Sequence, residues 1–212
     1  MIEFEGQSIP LTLSEVTAPS RTVLLVWDMQ NDQAGSSFNK QEFLSATPPL
    51  IAAAKNARVR TIYAYSTPYP WGNESPAMIR RAMKDQGVAN PRELKPRRVR
   101  GSFGWQLIEP FAPADEDTII EKHRATMFLG TEFEQLLVNW NKTTIVLVGC
   151  RTDAGIEGTA RDGYYRGYSM IVVRDCVGTG NERSHLDALQ RLERFADVVS
   201  SQELLKIWRT AP

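Results

Sequence analysis

The sequence predicts an α/β fold built around a buried parallel sheet. Short apolar runs alternate with longer amphipathic segments, a pattern typical of parallel strands joined by crossover helices. The runs are rich in β-branched residues and almost continuously apolar, as strands covered on both faces are. We therefore expect strands at residues 22–27, 61–65, 118–120, 144–148 and 170–173, with 197–199 as a candidate sixth.

Helices are predicted between these strands, where apolar residues recur at helical spacing. The predicted helices span residues 40–58, 131–141, 154–167 and 182–196, and residues 201–208 form a short closing helix. Asp153 and Asn181 are of the type that caps a helix N-terminus, and Gly167 is placed to end the helix that precedes it.

Two segments fall outside this alternation. Residues 1–20 are expected to form an extended arm packed on the domain or on a neighbouring subunit. The proline-rich stretch 66–117 predicts a lid-like excursion over one edge of the sheet, with two helical turns at 77–84. Long loops of this kind are often functional.

Composition bounds the class of protein. The 212 residues balance 25 Lys and Arg against 25 Asp and Glu and are 42% hydrophobic, so we expect one globular domain over residues 1–212. The zero net charge predicts no nucleic-acid partner. No run approaches about 18 apolar residues and the N-terminus lacks a signal-peptide pattern, so neither membrane insertion nor export is expected. The two cysteines, Cys150 and Cys176, favour a reducing, cytoplasmic location.

An acid and a lysine stand at the ends of two predicted strands. Asp28 follows the strand at 22–27, and Lys122 lies just beyond the strand at 118–120. Ligands of parallel α/β sheets bind beyond the carboxyl ends of the strands, and burial there raises a carboxyl pKa towards values useful for proton transfer. We expect Asp28 to exchange protons and Lys122 to tune it or to stabilise an oxyanion. The alternatives are a helix or turn cap that uses Asp28 or Asp32, and an exposed lysine beside Glu121.

Candidate binding groups follow the fourth strand and occupy the lid. The turn at residues 149–155 leads into a helix, so the N–H groups near Ala154 and Gly155 are suited to an anionic group, with Arg151 at the strand end. Lid residues 80–100 carry eight Lys or Arg against two Asp or Glu. One or two of these arginines could clamp a carboxylate; a solvated basic face or a subunit contact is the alternative.

Aromatic residues crowd the segment after the second strand. Tyr65 and Trp71 lie there, and Phe38 and Trp105 are expected nearby. Together they predict a pocket wall for a planar or apolar part of a ligand, with core packing as the alternative.

Three sequence blocks carry a resemblance to a known family. They are VWDMQND at 26–32, EKHRATMFLGT at 121–131 and TARDGYYRGY at 159–168. In this order they resemble the isochorismatase-like hydrolases, also called cysteine hydrolases. The resemblance implies a three-layer α/β/α fold with a six-stranded, mostly parallel, Rossmann-like sheet. It also implies Asp28 as acid/base with Lys122 as its partner, no cofactor, and a cis peptide bond at Cys150–Arg151.

The sequence departs from the family pattern at the nucleophile. Most members carry a cysteine at the start of the helix after the fourth strand, and counting back from Thr159 places Gly155 at that position. Cys150 and Cys176 lie elsewhere and are expected to be small buried hydrophobes. No metal is expected, because nicotinamidase relatives use an acid and two histidines after the second strand, whereas residues 65–74 contain no histidine.

The missing thiol directs the functional hypothesis. Without a thiolate the family's acyl-enzyme route is closed, and true isochorismatases resemble this chain in having glycine there. We expect enol-ether hydrolysis of a small, carboxylate-bearing substrate, with Asp28 protonating the enol-ether carbon. The alternatives are an amidase or ureido-acid hydrolase that activates water through Asp28 and Lys122 or recruits Cys150, and a non-catalytic binding protein. Family members commonly associate, so a homo-oligomer, dimer or tetramer, is also expected.

Overall fold

A computed structural model describes residues 1–210 and confirms the predicted α/β fold. The strands are β1 (Ile2–Phe4), β2 (Gln7–Ile9), β3 (Thr22–Trp27), β4 (Arg60–Ser66), β5 (Thr118–Lys122), β6 (Thr144–Cys150), β7 (Ser169–Gly178) and β8 (Asp197–Val199). The α-helices are α1 (Leu13–Val16), α2 (Asn31–Ala34), α3 (Lys40–Asn56), α4 (Pro76–Gln86), α5 (Phe133–Asn139), α6 (Glu157–Tyr165), α7 (Glu182–Leu192) and α8 (Ser201–Trp208). Each predicted strand and helix is present, with shifted ends in most cases.

The central sheet has six parallel strands in the order β5-β4-β3-β6-β7-β8. The chain builds outward from β3 in one direction and then returns to build outward from β6 in the other. In open sheets of this kind, ligands bind at the carboxyl ends of the two strands where the order reverses. The fold therefore places a binding crevice beyond Trp27 and Cys150.

Alternate residues of each buried strand face two separate cores, which makes the fold three-layered. Leu24 and Val26 belong to the core under α3 and α8, whereas Val23, Leu25 and Trp27 belong to the core under α5, α6 and α7. Because all six residues of β3 are buried, its run reads as continuously apolar, apart from Thr22 at its start.

Gly149 allows β6 to approach β3 closely at the edge where ligands would bind. Its φ is +120°, and a Cβ there would lie 2.0 Å from the carbonyl oxygen of Trp27. No other residue type fits without separating the two strands.

The N-terminal segment differs from the expected extended arm. Residues 1–9 turn back on themselves as the β1–β2 hairpin, through Glu5 and Gly6 with φ values of +48° and +77°. After the hairpin, α1 packs Leu13 and Val16 against the core under α3. The reason for the difference is the Glu-Gly pair, since Gly adopts positive φ at no steric cost.

The predicted helix boundaries after β6 need one correction. Asp153 is not an N-cap; it lies inside a π-helical turn, Thr152–Ile156, that precedes α6. Its carboxylate instead accepts a hydrogen bond from the Thr179 hydroxyl at 2.7 Å. Asn181 does cap α7 through the Ser184 N–H, and Gly167, at φ +87°, follows the end of α6 as predicted.

The segment predicted as a lid, residues 66–117, starts at the last residue of β4, contains α4 and two short 3₁₀ turns, and then returns along the chain that follows β3. We call this segment the lid. The N–H of Ile108 donates to the carbonyl of Met29 at 2.8 Å. The amide side chain of Gln30 accepts from the Ser66 N–H at 2.8 Å and donates to the Trp105 carbonyl at 2.7 Å. These bonds hold the returning half of the lid, residues 99–117, beside the carboxyl ends of β3 and β4, whereas residues 67–98, after the end of β4, form its outgoing half.

No helix within residues 1–210 combines the length and the apolar character that a membrane crossing requires.

Candidate active site

Asp28 and Lys122 form a buried ion pair at the carboxyl edge of the sheet. Asp28 follows β3 with a left-handed φ of +47°, a conformation that non-glycine residues rarely adopt outside functional or tightly constrained sites. Its Oδ2 accepts hydrogen bonds from Lys122 Nζ at 2.8 Å and from Gln33 Nε2 at 2.9 Å. Lys122 ends β5 and reaches across the end of β4 to make this contact. Asp28 Oδ1 is buried and has no hydrogen-bond partner within residues 1–210.

Burial brings the pKa values of Asp28 and Lys122 closer together. Desolvation raises the pKa of Asp28, and the positive charge of Lys122 opposes this rise. Desolvation likewise lowers the pKa of Lys122, and Asp28 opposes that change. A proton therefore moves within the pair at a smaller cost than between an exposed acid and an exposed amine. Such a pair is suited to general acid–base catalysis.

The pair opens into a cavity of about 360 Å³ between the sheet edge and the lid. Trp27, Gln33 and Ser66 line its floor beside Asp28 and Lys122. The turn after β6 contributes Arg151, Ala154 and Gly155, and the lid contributes Glu74, Met78, Ala82, Asp85, Gln86, Arg97 and Arg98. The structure thus brings together five residues predicted from the sequence: Asp28, Lys122, Arg151, Ala154 and Gly155.

Arginines give the cavity its positive charge. Arg98 is partly buried, its Nε has no hydrogen-bond partner, and it forms no ion pair with any residue in the described part of the chain. Burial lowers the pKa of Arg98, and Asp28 offsets part of this effect. Arg151 faces Asp153 only loosely, at 3.7 Å. Because Arg98 has no ion pair within residues 1–210 and Arg151 has only a loose one, both guanidinium groups are suited to a carboxylate-bearing ligand.

The predicted aromatic wall lies outside the lining of this cavity. Tyr65 and Trp105 pack against each other at a tilt of 35°, with ring centroids 4.7 Å apart, where the returning half of the lid meets β4. Phe38 packs edge-on against His185, with ring centroids 5.2 Å apart. Trp71 does not line the cavity itself, but the guanidinium of the lining residue Arg97 lies over its ring, 4.5 Å from the centroid. The aromatic residue that does line the cavity is Trp27, at a position that sequence reasoning assigned only to a strand.

Backbone donors at the turn after β6 are partly used. The N–H groups of Ala154 and Ile156 both donate to the carbonyl of Arg151 at 3.2 Å, because the turn is π-helical. Ala154 therefore lines the cavity without offering the free N–H expected of it. The peptide bond Cys150–Arg151 is cis, as the resemblance implies.

Neither cysteine belongs to the cavity lining. Cys150 is fully buried, with its Sγ 3.7 Å from Ser37 Oγ, and burial raises the pKa of its thiol to about 12. Cys176 is equally buried, and its pKa is raised to about 12 for the same reason. Residues 1–210 also contain no cluster of three or more His, Cys, Asp or Glu side chains placed to hold a metal ion.

Gly155 is packed so tightly that it admits no side chain. A Cβ at this position would lie 2.2 Å from Trp27 Nε1 and 2.4 Å from two carbons of the same ring. The indole of Trp27 thus fills the volume that a side chain at position 155 would need.

The fold and this site together define an α/β protein of the cysteine hydrolase fold, with an acid–lysine pair at the switch point of its sheet. Residues 22–203 match the family model of the isochorismatase domain. The chain therefore belongs to the isochorismatase-like hydrolase family.

Curated relatives and solved structures agree with this assignment. The chain is 29% identical to ureidoacrylate amidohydrolase RutB from Pantoea ananatis, covering 86% of this chain and 80% of that protein. It is 30% identical to the protein of the same name from Methylorubrum extorquens, covering 84% and 79%. In fold it is similar to a cysteine hydrolase from Pseudomonas syringae, with a TM-score of 0.76 and 23% identity over 92% of this chain and 95% of that one. N-carbamoylsarcosine amidase from Thermoplasma acidophilum has a TM-score of 0.67 and 24% identity, covering 85% and 96%.

Proposed function

We propose that the protein hydrolyses a small carboxylate-bearing substrate without a cysteine nucleophile, and that Asp28 moves the proton. The observation that carries the proposal is the orphaned, buried Oδ1 of Asp28 beside a cavity that no thiol lines. In this proposal Gly155 stands where most family members carry the nucleophile. Cys150 does not replace that nucleophile, because its thiol is buried and stays protonated at neutral pH.

Enol-ether hydrolysis is the chemistry that this set of groups supports best. In the first step Asp28 acts in its protonated form, which desolvation favours, and gives its proton to the terminal carbon of the enol ether, which leaves an oxocarbenium-like centre. Water adds to that centre and returns a proton to Asp28, which gives a hemiketal. The hydroxyl proton of the hemiketal then passes to the leaving oxygen as the C–O bond breaks, which releases a ketone and an alcohol. Lys122 stabilises the carboxylate that Asp28 becomes during the first step, because its ammonium is 2.8 Å from Oδ2.

Arginines of the cavity supply the affinity for the substrate's carboxylate. Arg98 from the lid and Arg151 from the turn after β6 line the cavity and have little negative charge of their own to neutralise them. A guanidinium binds a carboxylate through two parallel N–H bonds, which fixes orientation as well as charge. The carboxylate would thereby hold the reacting bond over Asp28.

A second candidate is hydrolysis of an amide or ureido group by activated water. The observation in its favour is the similarity to proteins named ureidoacrylate amidohydrolase. In this reaction ionised Asp28 takes a proton from water as the water attacks the carbonyl carbon. Asp28 then gives the proton to the leaving nitrogen as the C–N bond breaks. Both reactions need Asp28 and Lys122, and neither needs a thiol.

The test compares two substrates and three proteins. Pyruvate release from isochorismate and ammonia release from ureidoacrylate are measured for the wild type, for Asp28→Asn and for Cys150→Ala as the matched control. We expect pyruvate from the wild type, a loss of at least a hundredfold in Asp28→Asn, and no change in Cys150→Ala. Circular dichroism establishes that Asp28→Asn is folded.

The other outcomes separate the alternatives. Ammonia without pyruvate favours the second candidate, and loss of activity in Cys150→Ala contradicts the thiol-free mechanism. No product from the wild type with either substrate overturns both reactions and favours a binding protein on the same fold. A cytoplasmic homo-oligomer remains part of the proposal, and light scattering after gel filtration tests the association.

A further inference from the structure

Trp27 lines the cavity beside the Asp28–Lys122 pair. It ends β3 immediately before Asp28, and its ring is almost fully buried while still lining the cavity. Gly155 lies against the Nε1 edge of the indole, so that even a Cβ there would come within 2.2 Å of Nε1. The polar edge of Trp27 is therefore directed towards the place where the turn after β6 meets the cavity.

The indole N–H of Trp27 lacks a protein acceptor. Trp71, Trp105 and Trp208 each donate this hydrogen to an oxygen of the protein, at 3.2, 2.8 and 3.0 Å, whereas Trp140, which lies outside the cavity lining, forms no such bond within residues 1–210. For Trp27 no such bond is formed with any of residues 1–210. Trp27 is only 1% exposed, yet its Nε1 is not fully enclosed, so the N–H borders the cavity that the residue lines. An acceptor from a bound molecule would satisfy it.

Lys122 strengthens this donor. Its ammonium lies 3.9 Å from the centroid of the Trp27 ring, within the range of a cation–π contact. The positive charge draws electron density from the ring face, which makes the N–H a better donor to an anionic oxygen. The same contact gives Lys122 a fixed position above the ring while it holds Asp28.

We infer that Trp27 contacts the substrate and donates its indole N–H to an anionic oxygen of the bound molecule beside Gly155. Gly155 and Trp27 then act as a complementary pair, because the absence of a side chain at position 155 leaves the N–H accessible. The inference deepens the proposed function, since it names a second donor for the substrate's carboxylate. It rests on that function only for the identity of the substrate.

The first experiment observes the indole N–H groups of the wild-type protein by ¹H–¹⁵N NMR. Benzoate is the probe, and benzyl alcohol is the matched ligand without a carboxylate. Each tryptophan is assigned by its Phe substitution. We expect benzoate to move the Trp27 resonance, benzyl alcohol to leave it in place, and Trp208 to stay unmoved with both.

A resonance of Trp27 that does not move during the benzoate titration overturns the inference, whichever other resonances move. Movement of the Trp27 resonance in a protein that hydrolyses neither isochorismate nor ureidoacrylate supports the inference and contradicts the proposed function instead. The two failures are therefore distinguishable.

The second experiment asks what the N–H contributes to turnover. Trp27→Phe keeps an aromatic ring under Lys122 and removes the donor, while Trp105→Phe removes a donor outside the cavity. A hydrogen bond to a charged group predicts a loss of about 10- to 100-fold in kcat/KM for Trp27→Phe. Trp105→Phe should lose less than about threefold. Equal losses in the two variants would show a structural role and would contradict the contact with substrate.

Discussion

Replacing Lys122 by Met tests the physical basis of the buried pair without any substrate. The variant keeps the length and the apolar stem of the side chain but leaves Asp28 without its counter-ion. Lys122 Nζ and Asp28 Oδ2 are 2.8 Å apart, and their side chains are 2% and 6% exposed. Solvent therefore replaces little of the lost interaction. Breaking one side of a pair buried in this way costs about 3–5 kcal/mol of unfolding free energy near neutral pH.

The sign of the pH dependence follows from Asp28. Its pKa in the folded protein is already raised by desolvation, and loss of the opposing charge of Lys122 raises it further. A carboxyl group whose pKa is higher in the folded state favours folding while it is protonated. It loses that contribution as pH rises through the folded-state pKa. The penalty of Lys122→Met should therefore be small in acid and grow towards alkaline pH.

Urea denaturation of the wild type and of Lys122→Met, followed by circular dichroism at about pH 5 and about pH 8, measures both penalties. Near neutral pH the loss corresponds to a fall in Tm of about 10 °C for a chain of this size. The double variant Asp28→Asn/Lys122→Met removes both charges and should recover part of the lost stability. A penalty that is equal at the two pH values, or a double variant less stable than Lys122→Met, would refute the reasoning.

Three further predictions concern groups around the site. The two thiols, Cys150 and Cys176, should not react with a thiol reagent in the native protein, because burial raises both pKa values to about 12, and should react after unfolding in urea. Gly149→Ala should cost several kcal/mol or prevent folding, because its Cβ would lie 2.0 Å from the Trp27 carbonyl at a φ of +120°; expression and Tm measure this. Burial lowers the pKa of His185 below 6.5, so its contribution to stability is present above that pH and is lost as pH falls through the lowered value. Acid unfolding of His185→Gln should consequently be shifted to lower pH, and an unshifted transition would contradict this origin.

Much of the fold could be read from the sequence because β3, β4, β6 and β7 are buried on both faces. Such strands show as apolar runs whose ends differ from the observed ones by a few residues. The candidate site residues Asp28, Lys122 and Arg151 could be predicted for a related reason, since polar residues at or directly after the ends of buried strands meet at one edge of a parallel sheet.

Other features depend on contacts between distant segments, which local patterns do not reveal. Trp27 reads as one more apolar strand residue until Gly155 is brought against its ring, 128 positions further along the chain. Asp153 has the side-chain type of an N-cap, but its carboxylate accepts a hydrogen bond from the Thr179 hydroxyl, and the turn that contains it is π-helical. The number of aromatic residues around the lid predicts a pocket wall, whereas Trp105 packs against Tyr65 of β4 and Trp71 packs against the guanidinium of Arg97.

The hydrogen bonds of Gln30 anchor only the returning half of the lid, so the two halves tolerate substitution differently. The returning half is bound through Gln30 to the end of β4 and lies beside the chain that carries Asp28, so a substitution there disturbs the proton-transferring groups. The outgoing half, with α4 and Arg98, is largely exposed and shares no such bonds with β3. Apart from Arg98, whose charge lowers the pKa of Asp28, residues of the outgoing half can thus be substituted so that a different molecule is held while the way its bond is broken stays the same. A lineage with this architecture can acquire new substrates while retaining one reaction.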